Sequence, residues 1–284
     1  MRSLEYAEPV GSARESVLSR LERWSFFAVI GTAGSVAILL LIAPTVIVIV
    51  TSFTDSYSLK FPPPTFGVRW YAALWTDSPD LARAALTSLQ VSIAATAVST
   101  VLASVAALAI AKRRSTWARL LDSLFMSPMM LPPLALGLAL LAYFNILGAG
   151  VSMTTLIIGH VAITTPYILR TTVASYSQLD PLMLESARSL GARPWFMFRT
   201  VTLPLIAPGL AAGAFIAFMV SFDNVAVSLF LSDARNEVLP VRLWTIIESN
   251  LDVRAAAVSG VLITTTIVLA IVMERIVGLS RHIK

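Results

Sequence analysis

The chain has 284 residues, and its 13% of charged residues is about half the charged share of an ordinary soluble domain, which indicates a protein of the lipid bilayer. Its formal net charge of +5 comes from short basic groups beside apolar runs, and this distribution argues against nucleic-acid binding. The chain has no cysteine and two distant histidines, His160 and His282, so disulfides and cysteine or histidine metal clusters are excluded.

The first 24 residues mix arginine with glutamate, and we expect a cytoplasmic tail there. The apolar run that follows, from Trp24 to Val50, is far longer than the roughly 7–15 apolar residues of a secretory signal. This run is therefore predicted to be a retained membrane helix.

Six apolar stretches have the length of a membrane-spanning helix, which needs about 20 residues. The six stretches are 25–51, 84–111, 120–147, 153–177, 206–231 and 255–277. They predict an all-α membrane protein with six transmembrane helices within residues 25–280. Because proline lacks a backbone donor, we expect kinks or unwinding in the third and fourth spans at Pro128, Pro132, Pro133 and Pro166.

Two segments between the spans carry patterns of their own. Residues 52–83 contain a proline-rich run and aromatic side chains typical of a lipid headgroup belt, namely Tyr57, Trp70, Tyr71 and Trp75. Residues 232–254 are predicted to contain a short amphipathic helix, which packs on the spans or contacts an external partner. Its expected apolar face comprises Val241, Trp244, Ile247 and Leu251.

The distribution of lysine and arginine predicts the orientation of the spans, because cytoplasmic segments are enriched in these residues. With the N-terminus inside, cytoplasmic segments hold 15 basic residues, and the opposite segments hold 6, which are Lys60, Arg69, Arg83, Arg235, Arg242 and Arg254. Both termini are therefore predicted to be cytoplasmic, as is the loop 179–205 between the fourth and fifth spans.

This cytoplasmic loop is predicted to form a helical hairpin. Asp180 can cap a first helix and Pro181 suits its first position. Gly191 follows where a residue in the left-handed conformation commonly ends a helix. Pro194 suits the start of a second short helix, which Pro204 is expected to bound.

The hairpin carries aromatic side chains close to basic ones, and this combination fits two kinds of surface. It suits a cap over the inner ends of the spans, or a docking surface, since aromatic and arginine side chains are enriched in interface hot spots. The pattern alone favours neither. The residues concerned are Trp195, Phe196 and Phe198 with Arg188, Arg193 and Arg199.

The hairpin sequence resembles the EAA loop of ABC importer permease subunits, whose pattern is Glu-Ala-Ala, three residues, Gly, nine residues and Ile-x-Leu-Pro. The residues that fit this pattern with its spacing intact are Glu185, Ala187, Gly191, Leu203 and Pro204. Ser186 stands for an alanine and Val201 for an isoleucine, and neither change disturbs the helix or the spacing.

The resemblance implies a coupling helix that docks in a cleft on a separate ATP-hydrolysing subunit. It assigns this contact to Glu185, Ala187, Gly191 and Pro204, with Arg188, Arg193, Trp195 and Phe196 beside them. The chain lacks the phosphate-binding pattern G-x-x-x-x-G-K-[ST]. ATP and magnesium are therefore expected on that partner, and this chain is expected to bind no cofactor and not to be an enzyme.

The same resemblance implies an importer in the inner (cytoplasmic) membrane of a bacterium. The partners that it implies are a second, homologous permease subunit in a heterodimer, two ATP-binding subunits and an external substrate-binding protein. ATP-driven closure would then switch the spans between inward-facing and outward-facing states.

Two further segments narrow the resemblance to one branch of these permeases. Residues 218–232 (FMVSFDNVAVSLFLS) and 239–244 (LPVRLW) are similar to the branch that imports spermidine and putrescine. This similarity implies a small cationic amine as the substrate. Relatives in the same branch carry amino-acid-like compounds or aminophosphonates, and these substrates stay open as alternatives.

Asp223 is predicted to lie deep within the fifth span and is followed by Asn224. A carboxylate in hydrocarbon is costly, so we expect it to face a polar interior. Two interpretations stay open: it attracts a cationic substrate along the pathway, or it pairs with a polar group on the partner permease. Asn224, Tyr143 and Tyr167 are further candidates for the pathway.

Other polar and small residues in the spans favour packing roles. His160 is interpreted as a helix-packing residue rather than a ligand. Gly209 and Gly213 form a G-x-x-x-G pattern, which predicts close approach between the fifth span and another helix.

Two other functional classes fit the sequence less well. A stand-alone secondary transporter usually shows internal repeats and several buried ionisable groups, whereas this chain shows no clear repeat and one such aspartate. An intramembrane enzyme is disfavoured because G-x-S-x-G, a metal cluster and paired carboxylates are all missing from the sequence.

Overall fold

The structure is a computed structural model that describes residues 17–111, 115–250 and 252–277. These residues form twelve α-helices and no strand, apart from one isolated bridge between Thr54 and Phe66. Parts of our predictions lie outside the described residues, namely the tail residues 1–16, the basic residues 112–114, Leu251, Arg281 and Lys284.

The helices follow one another in the order α1 (Val17–Ser52), α2 (Arg69–Thr76), α3 (Pro79–Ala111), α4 (Thr116–Met130), α5 (Pro133–Ile146), α6 (Met153–Ser177), α7 (Pro181–Ser189), α8 (Pro194–Met197), α9 (Leu203–Phe222), α10 (Ser228–Leu231), α11 (Leu239–Asn250) and α12 (Arg254–Val277). Four predicted spans correspond to the single helices α1, α3, α6 and α12. The all-helical prediction is thus confirmed for the described residues. Five of their helices are long and apolar enough to cross a membrane, and the bent pair α4 and α5 would make a sixth span if it counts as one.

The third predicted span, 120–147, consists of two helices because α4 and α5 are bent by 107° at a two-residue break. A residue before proline is pushed out of the helical conformation. Leu131 precedes Pro132 with ψ 145°, and Pro132 precedes a second proline with ψ 128°. By contrast, Pro128 and Pro166 lie inside α4 and α6 without ending them.

The hairpin runs into the fifth span without an interruption. α8 continues through a π-helical turn, Phe198–Thr202, directly into α9, so the prediction that Pro204 bounds the second short helix is wrong. In a π-helical turn each N–H bonds to the fifth residue back, and the Leu203 N–H bonds to the Phe198 carbonyl in this way. Pro204 is the second residue of α9 and does not end the continuous helix.

The other end of the fifth predicted span is also different in the structure. α9 ends at Phe222, and residues 223–227, called the polar break below, are not helical. The chain becomes helical again only in the single turn of α10. The predicted span 206–231 therefore overruns the true helix by nine residues.

The core of the bundle lies between α3, α6 and α9. Small residues of α3 allow these helices to approach closely, among them the fully buried Ala95, Ser99, Ala103 and Ala107. A Cβ atom at Gly209 would collide with the Ser175 hydroxyl, and one at Gly213 with the Thr171 hydroxyl. The predicted role of the G-x-x-x-G pattern in helix packing is thus confirmed, with α6 as the partner helix.

The bundle has two different ends. The hairpin end carries α7 and α8, which join the ends of α6 and α9. The cap end carries α2, α10 and α11, and Leu239 of α11 donates its N–H to the Ser88 hydroxyl of α3 at 2.8 Å. An ion pair between Arg242 and Asp80, with Arg242 Nε 3.0 Å from Asp80 Oδ2, also joins α11 to α3.

Aromatic residues secure the loop between α1 and α2. Tyr71 and Ser52 share a hydrogen bond of 2.6 Å, and Trp70 donates its indole N–H to the Ser56 carbonyl at 3.0 Å. The guanidinium of Arg69 lies over the ring of Tyr57 at 4.4 Å from its centroid. These contacts give three of the aromatics a packing role, and the headgroup belt stays a prediction.

The amphipathic helix predicted near residues 232–254 is α11, but its buried face differs from the predicted one. Val241 is buried as expected, whereas Trp244 and Ile247 are exposed. Leu239 and Ile246 form the buried side instead, packed against α3 and α12. Apolar residues fall on two overlapping helical faces here, and the position of α3 selects one of them.

Candidate functional site

The hairpin end begins with α7, whose two ends are built as the sequence predicts. The Asp180 carboxylate accepts the Leu182 N–H at 2.9 Å, and Pro181 occupies the first helical position. Gly191 has φ +77°, the left-handed conformation that closes a helix. The Ala192 N–H bonds to the Ala187 carbonyl at 3.1 Å and the Gly191 N–H to that of Arg188 at 2.9 Å, which together make a Schellman motif.

The hairpin presents large apolar side chains to its surroundings. Leu190 is 87% exposed and Trp195 is 70% exposed, and Leu182, Met183 and Phe196 are exposed as well. Glu185, Arg188 and Arg193 are exposed between them. An exposed apolar patch rimmed by charged residues is typical of a protein–protein interface, which favours a docking surface over a cap on the bundle.

A groove of about 630 Å³ runs between α7 and the start of α9. The structure brings Ala187 and Pro204 together in its wall, although they are far apart in the sequence pattern. Glu185 and Gly191 are exposed and do not line this groove. Of the residues predicted to contact an ATPase, Ala187 and Pro204 thus line the groove, whereas Glu185 and Gly191 lie outside it.

The polar break holds the residues predicted to meet the substrate. The prediction that Asp223 lies deep within the fifth span is wrong. Asp223 directly follows the last residue of α9, and its N–H is bonded to the Met219 carbonyl at 3.1 Å. Its side chain is exposed, and no side chain in the described part of the chain forms an ion pair or hydrogen bond with it. The Asn224 side chain accepts the Val227 N–H at 2.8 Å and so stabilises the turn before α10.

His160 lies beneath the polar break and connects its two sides. Its Nδ1 is 2.8 Å from the hydroxyl of Ser221, and its Nε2 is 3.0 Å from the hydroxyl of Ser228. All three side chains are buried. The prediction that His160 is a packing residue is confirmed. Its two serine partners were not predicted, because the only hint of them in the sequence is that they flank Asp223 and Asn224.

The two predicted tyrosines lie apart from the polar break. Tyr143 of α5 is exposed and packs beside Phe144, and Tyr167 is half-buried on α6, seven residues beyond His160 towards the hairpin end. No hydrogen bond joins either tyrosine to Asp223 among the described residues. Their assignment to the pathway stays a prediction.

An apolar groove of about 460 Å³ lies between α3, α9 and α12 close to the polar break. Aromatic side chains of α9 form one wall, and Phe218 and Phe222 stack there with their centroids 5.9 Å apart. Trp75 and Leu262 line other parts of the groove. Apart from Thr265 and Thr266 of α12 its walls are apolar, and Asp223 directly follows Phe222 of the wall.

The sequence matches a known family over most of its length. The family described as "binding-protein-dependent transport system inner membrane component" matches residues 99–281, which include the hairpin and the polar break. The spermidine/putrescine transport system permease protein PotC of Haemophilus influenzae is 27% identical over 240 residues, covering 84% of this chain and 92% of its own. The molybdenum transport system permease protein ModB of Mycobacterium bovis is 29% identical over 198 residues, covering 62% of this chain and 72% of its own.

Solved structures resemble the fold. A bacterial ABC transporter involved in the import of the acidic polysaccharide alginate has a TM-score of 0.71 at 15% identity, over 94% of this chain and 99% of that chain. A bacterial alginate ABC transporter in complex with a periplasmic protein bound to an alginate pentasaccharide has a TM-score of 0.68 at 16% identity, over 94% and 98%. At these identities the likeness is one of fold.

Proposed function

This chain belongs to the family of binding-protein-dependent transport system inner membrane components, and from that premise we propose that it carries a small cationic amine such as spermidine or putrescine. It is a multi-pass permease subunit of an ABC importer of the inner membrane. The observation that carries the substrate proposal is the exposed Asp223 carboxylate, which has no ion-pair partner in the described part of the chain. A carboxylate attracts an ammonium group, and the attraction increases where fewer water molecules screen the two charges.

The relatives differ in the support that they give to the proposal of a cationic substrate. PotC of Haemophilus influenzae bears a polyamine name and aligns with 84% of this chain, against 62% for the molybdenum permease. A carboxylate that is free to meet the substrate attracts a polyamine and repels an anion. The same machinery with an amino-acid-like compound or an aminophosphonate is the second candidate, since both also carry an ammonium group.

The hairpin supports the proposal that ATP hydrolysis on a partner subunit drives transport. Its exposed apolar residues and its polar Glu185 suit docking to an ATP-binding subunit, which would hold ATP and magnesium. The remaining proposed partners are a second homologous permease subunit in a heterodimer, a second ATP-binding subunit and an external substrate-binding protein. Closure of the ATP-binding subunits would act on α7 and, through the π-helical turn, on α9.

The test of the substrate proposal is the variant Asp223→Asn in the complete importer reconstituted in liposomes. A charge-assisted hydrogen bond contributes about 1.5–3 kcal/mol, so we expect spermidine uptake to fall by about tenfold or more while the complex assembles normally. Asp77→Asn, which changes an exposed carboxylate in the turn after α2, is the matched control and should retain uptake.

Two results would contradict the proposal in different ways. Loss of the assembled complex in Asp223→Asn would show that this carboxylate pairs with the partner permease instead. Uptake of spermidine by the purified chain without an ATP-binding subunit would contradict the coupling to ATP hydrolysis.

A further inference from the structure

We propose that His160 is a positioning residue, which fixes the polar break to α6 and thereby sets the place of the Asp223 carboxylate. This inference rests on the proposed function, in which Asp223 meets the substrate. The geometry points to it because one imidazole ring is hydrogen-bonded to both sides of the break, at Ser221 of α9 and Ser228 of α10.

The burial and pairing of the ring leave it no atom for a ligand. His160 is 1% exposed, and each of its nitrogens already has a hydroxyl within hydrogen-bond distance. In a neutral imidazole one nitrogen donates and the other accepts, and a serine hydroxyl can do either. Both tautomers therefore satisfy the two serines, and the ring acts through them rather than on a substrate.

The surroundings of the break show that its position is fixed tightly. A Cβ atom at Gly159, next to His160, would collide with a methyl group of Leu231 and lie 3.2 Å from Val227. A Cβ atom at Gly137 of α5 would lie 2.9 Å from the Ala226 carbonyl oxygen. The break thus lies on α5 and α6 with no room for side chains between them.

Within this close packing, the hydrogen bonds of His160 have a specific task. Van der Waals contacts at the two glycines oppose inward movement but do not fix the break along the helix axis. The bonds to the two serines are directional, and they hold the last turn of α9 and the first turn of α10 at one separation. The Asp223 backbone lies between these two anchors, so its carboxylate leaves the break from a defined place.

The absence of native cysteine makes this inference directly measurable. A single cysteine at Val225, in the middle of the polar break, carries a nitroxide label whose mobility is read by electron paramagnetic resonance in vesicles. We expect greater label mobility with His160→Leu, Ser221→Ala or Ser228→Ala. The serine variants keep the test decisive if His160→Leu does not fold. The matched control is Ser52→Ala, which removes a buried hydroxyl of α1 bonded to Tyr71 at 2.6 Å.

The transport assay tests the link to the substrate. Loss of one neutral hydrogen bond should raise the apparent KM for spermidine about fivefold in Ser221→Ala and Ser228→Ala, with the maximal rate and the ATP consumed per molecule retained. Ser52→Ala should leave KM unchanged. A purely structural role would instead lower the amount of active complex and the maximal rate together.

The outcomes separate the two proposals. Unchanged label mobility in both serine variants would overturn the positioning role of His160. Greater mobility with an unchanged KM would overturn the link between the break and substrate binding. If the wild-type importer takes up no spermidine, the proposed substrate is wrong, and the label mobility still tests the positioning role.

Discussion

Gly191 shows how one residue can determine the shape of the surface that is proposed to receive the ATP-driven movement. Its φ of +77° allows two backbone hydrogen bonds to close α7, and a Cβ atom placed there would meet nothing within 4 Å. The requirement for glycine therefore comes from the backbone conformation alone and not from crowding. A residue that tolerates the left-handed conformation should replace it, whereas a β-branched residue should not.

We predict that Gly191→Val uncouples ATP hydrolysis from transport and that Gly191→Asn does not. A left-handed conformation costs an ordinary L-residue roughly 1–2 kcal/mol, while asparagine adopts it more readily. We therefore expect the amount of substrate imported per ATP hydrolysed to fall by about fivefold to thirtyfold in Gly191→Val. The measurement is the number of ATP molecules hydrolysed per substrate imported by the reconstituted complex. Equal coupling in the wild type and in Gly191→Val would refute the assignment of the hairpin.

The residue features that could be predicted from the sequence are the local ones. The cap at Asp180, the first-turn Pro181 and the left-handed Gly191 each depend on neighbours within a few residues, and the structure confirms all three. The pairing of His160 with its serines joins residues 61 and 68 positions apart in the chain. No short pattern contains that information, so only the packing of α6 against α9 reveals it.

At the scale of helices, the bend between α4 and α5 follows from two consecutive prolines. Each forces the residue before it into an extended conformation, so Leu131 and Pro132 are both extended. Pro128 and Pro166 each lie inside a helix without ending it, so the bend is attributed to the pair of consecutive prolines. The bend should therefore disappear when both prolines are replaced.

We predict that the double variant Pro132→Ala with Pro133→Ala joins α4 and α5 into one longer helix. Spin labels are attached through the substitutions Leu124→Cys and Ala139→Cys. Along a straight helix the two labels would be about 22 Å apart. With the native prolines, where the helices are bent by 107°, the distance between the labels is expected to be clearly shorter. Pro128→Ala, inside α4, is the control and should leave the short distance unchanged. A short distance in the double variant would show that tertiary contacts impose the bend.

The fifth span explains why helix ends are harder to predict than helices. Residues 225–231 are almost wholly apolar, so hydropathy extends the span through the polar break. In the structure Asn224 bonds to the Val227 N–H and closes a turn instead of continuing α9. Such a side-chain bond to the backbone competes with helix formation, as is typical of asparagine. The contacts of the break with α5 and α6 stabilise the turn further.

At the scale of the whole molecule, the sequence gives a directional prediction through its basic residues. The hairpin and the two termini are assigned to the cytoplasm by the 15-to-6 distribution of lysine and arginine. The structure places the hairpin and α11 at opposite ends of the bundle, so the two should be accessible from opposite sides of the membrane. The chain contains no native cysteine to interfere with labelling.

We predict that a membrane-impermeant maleimide added to right-side-out vesicles labels Ser249→Cys of α11 but not Ser186→Cys of α7. Both serines are exposed, and each exchange is nearly isosteric. Permeabilised vesicles that contain this chain without the ATP-binding subunits are the control, in which both positions should be labelled. Labelling of Ser186→Cys alone in intact vesicles would invert the proposed orientation.

The helix pair α6 and α9 is connected at both of its ends. The hairpin joins them covalently at one end, His160 and its serines join them at the other, and the contacts at Gly209 and Gly213 lie between. Such a closed frame resists sliding of one helix along the other. A force on the hairpin is therefore expected to rotate the two helices as one rigid body, so that the polar break moves in the direction opposite to the hairpin.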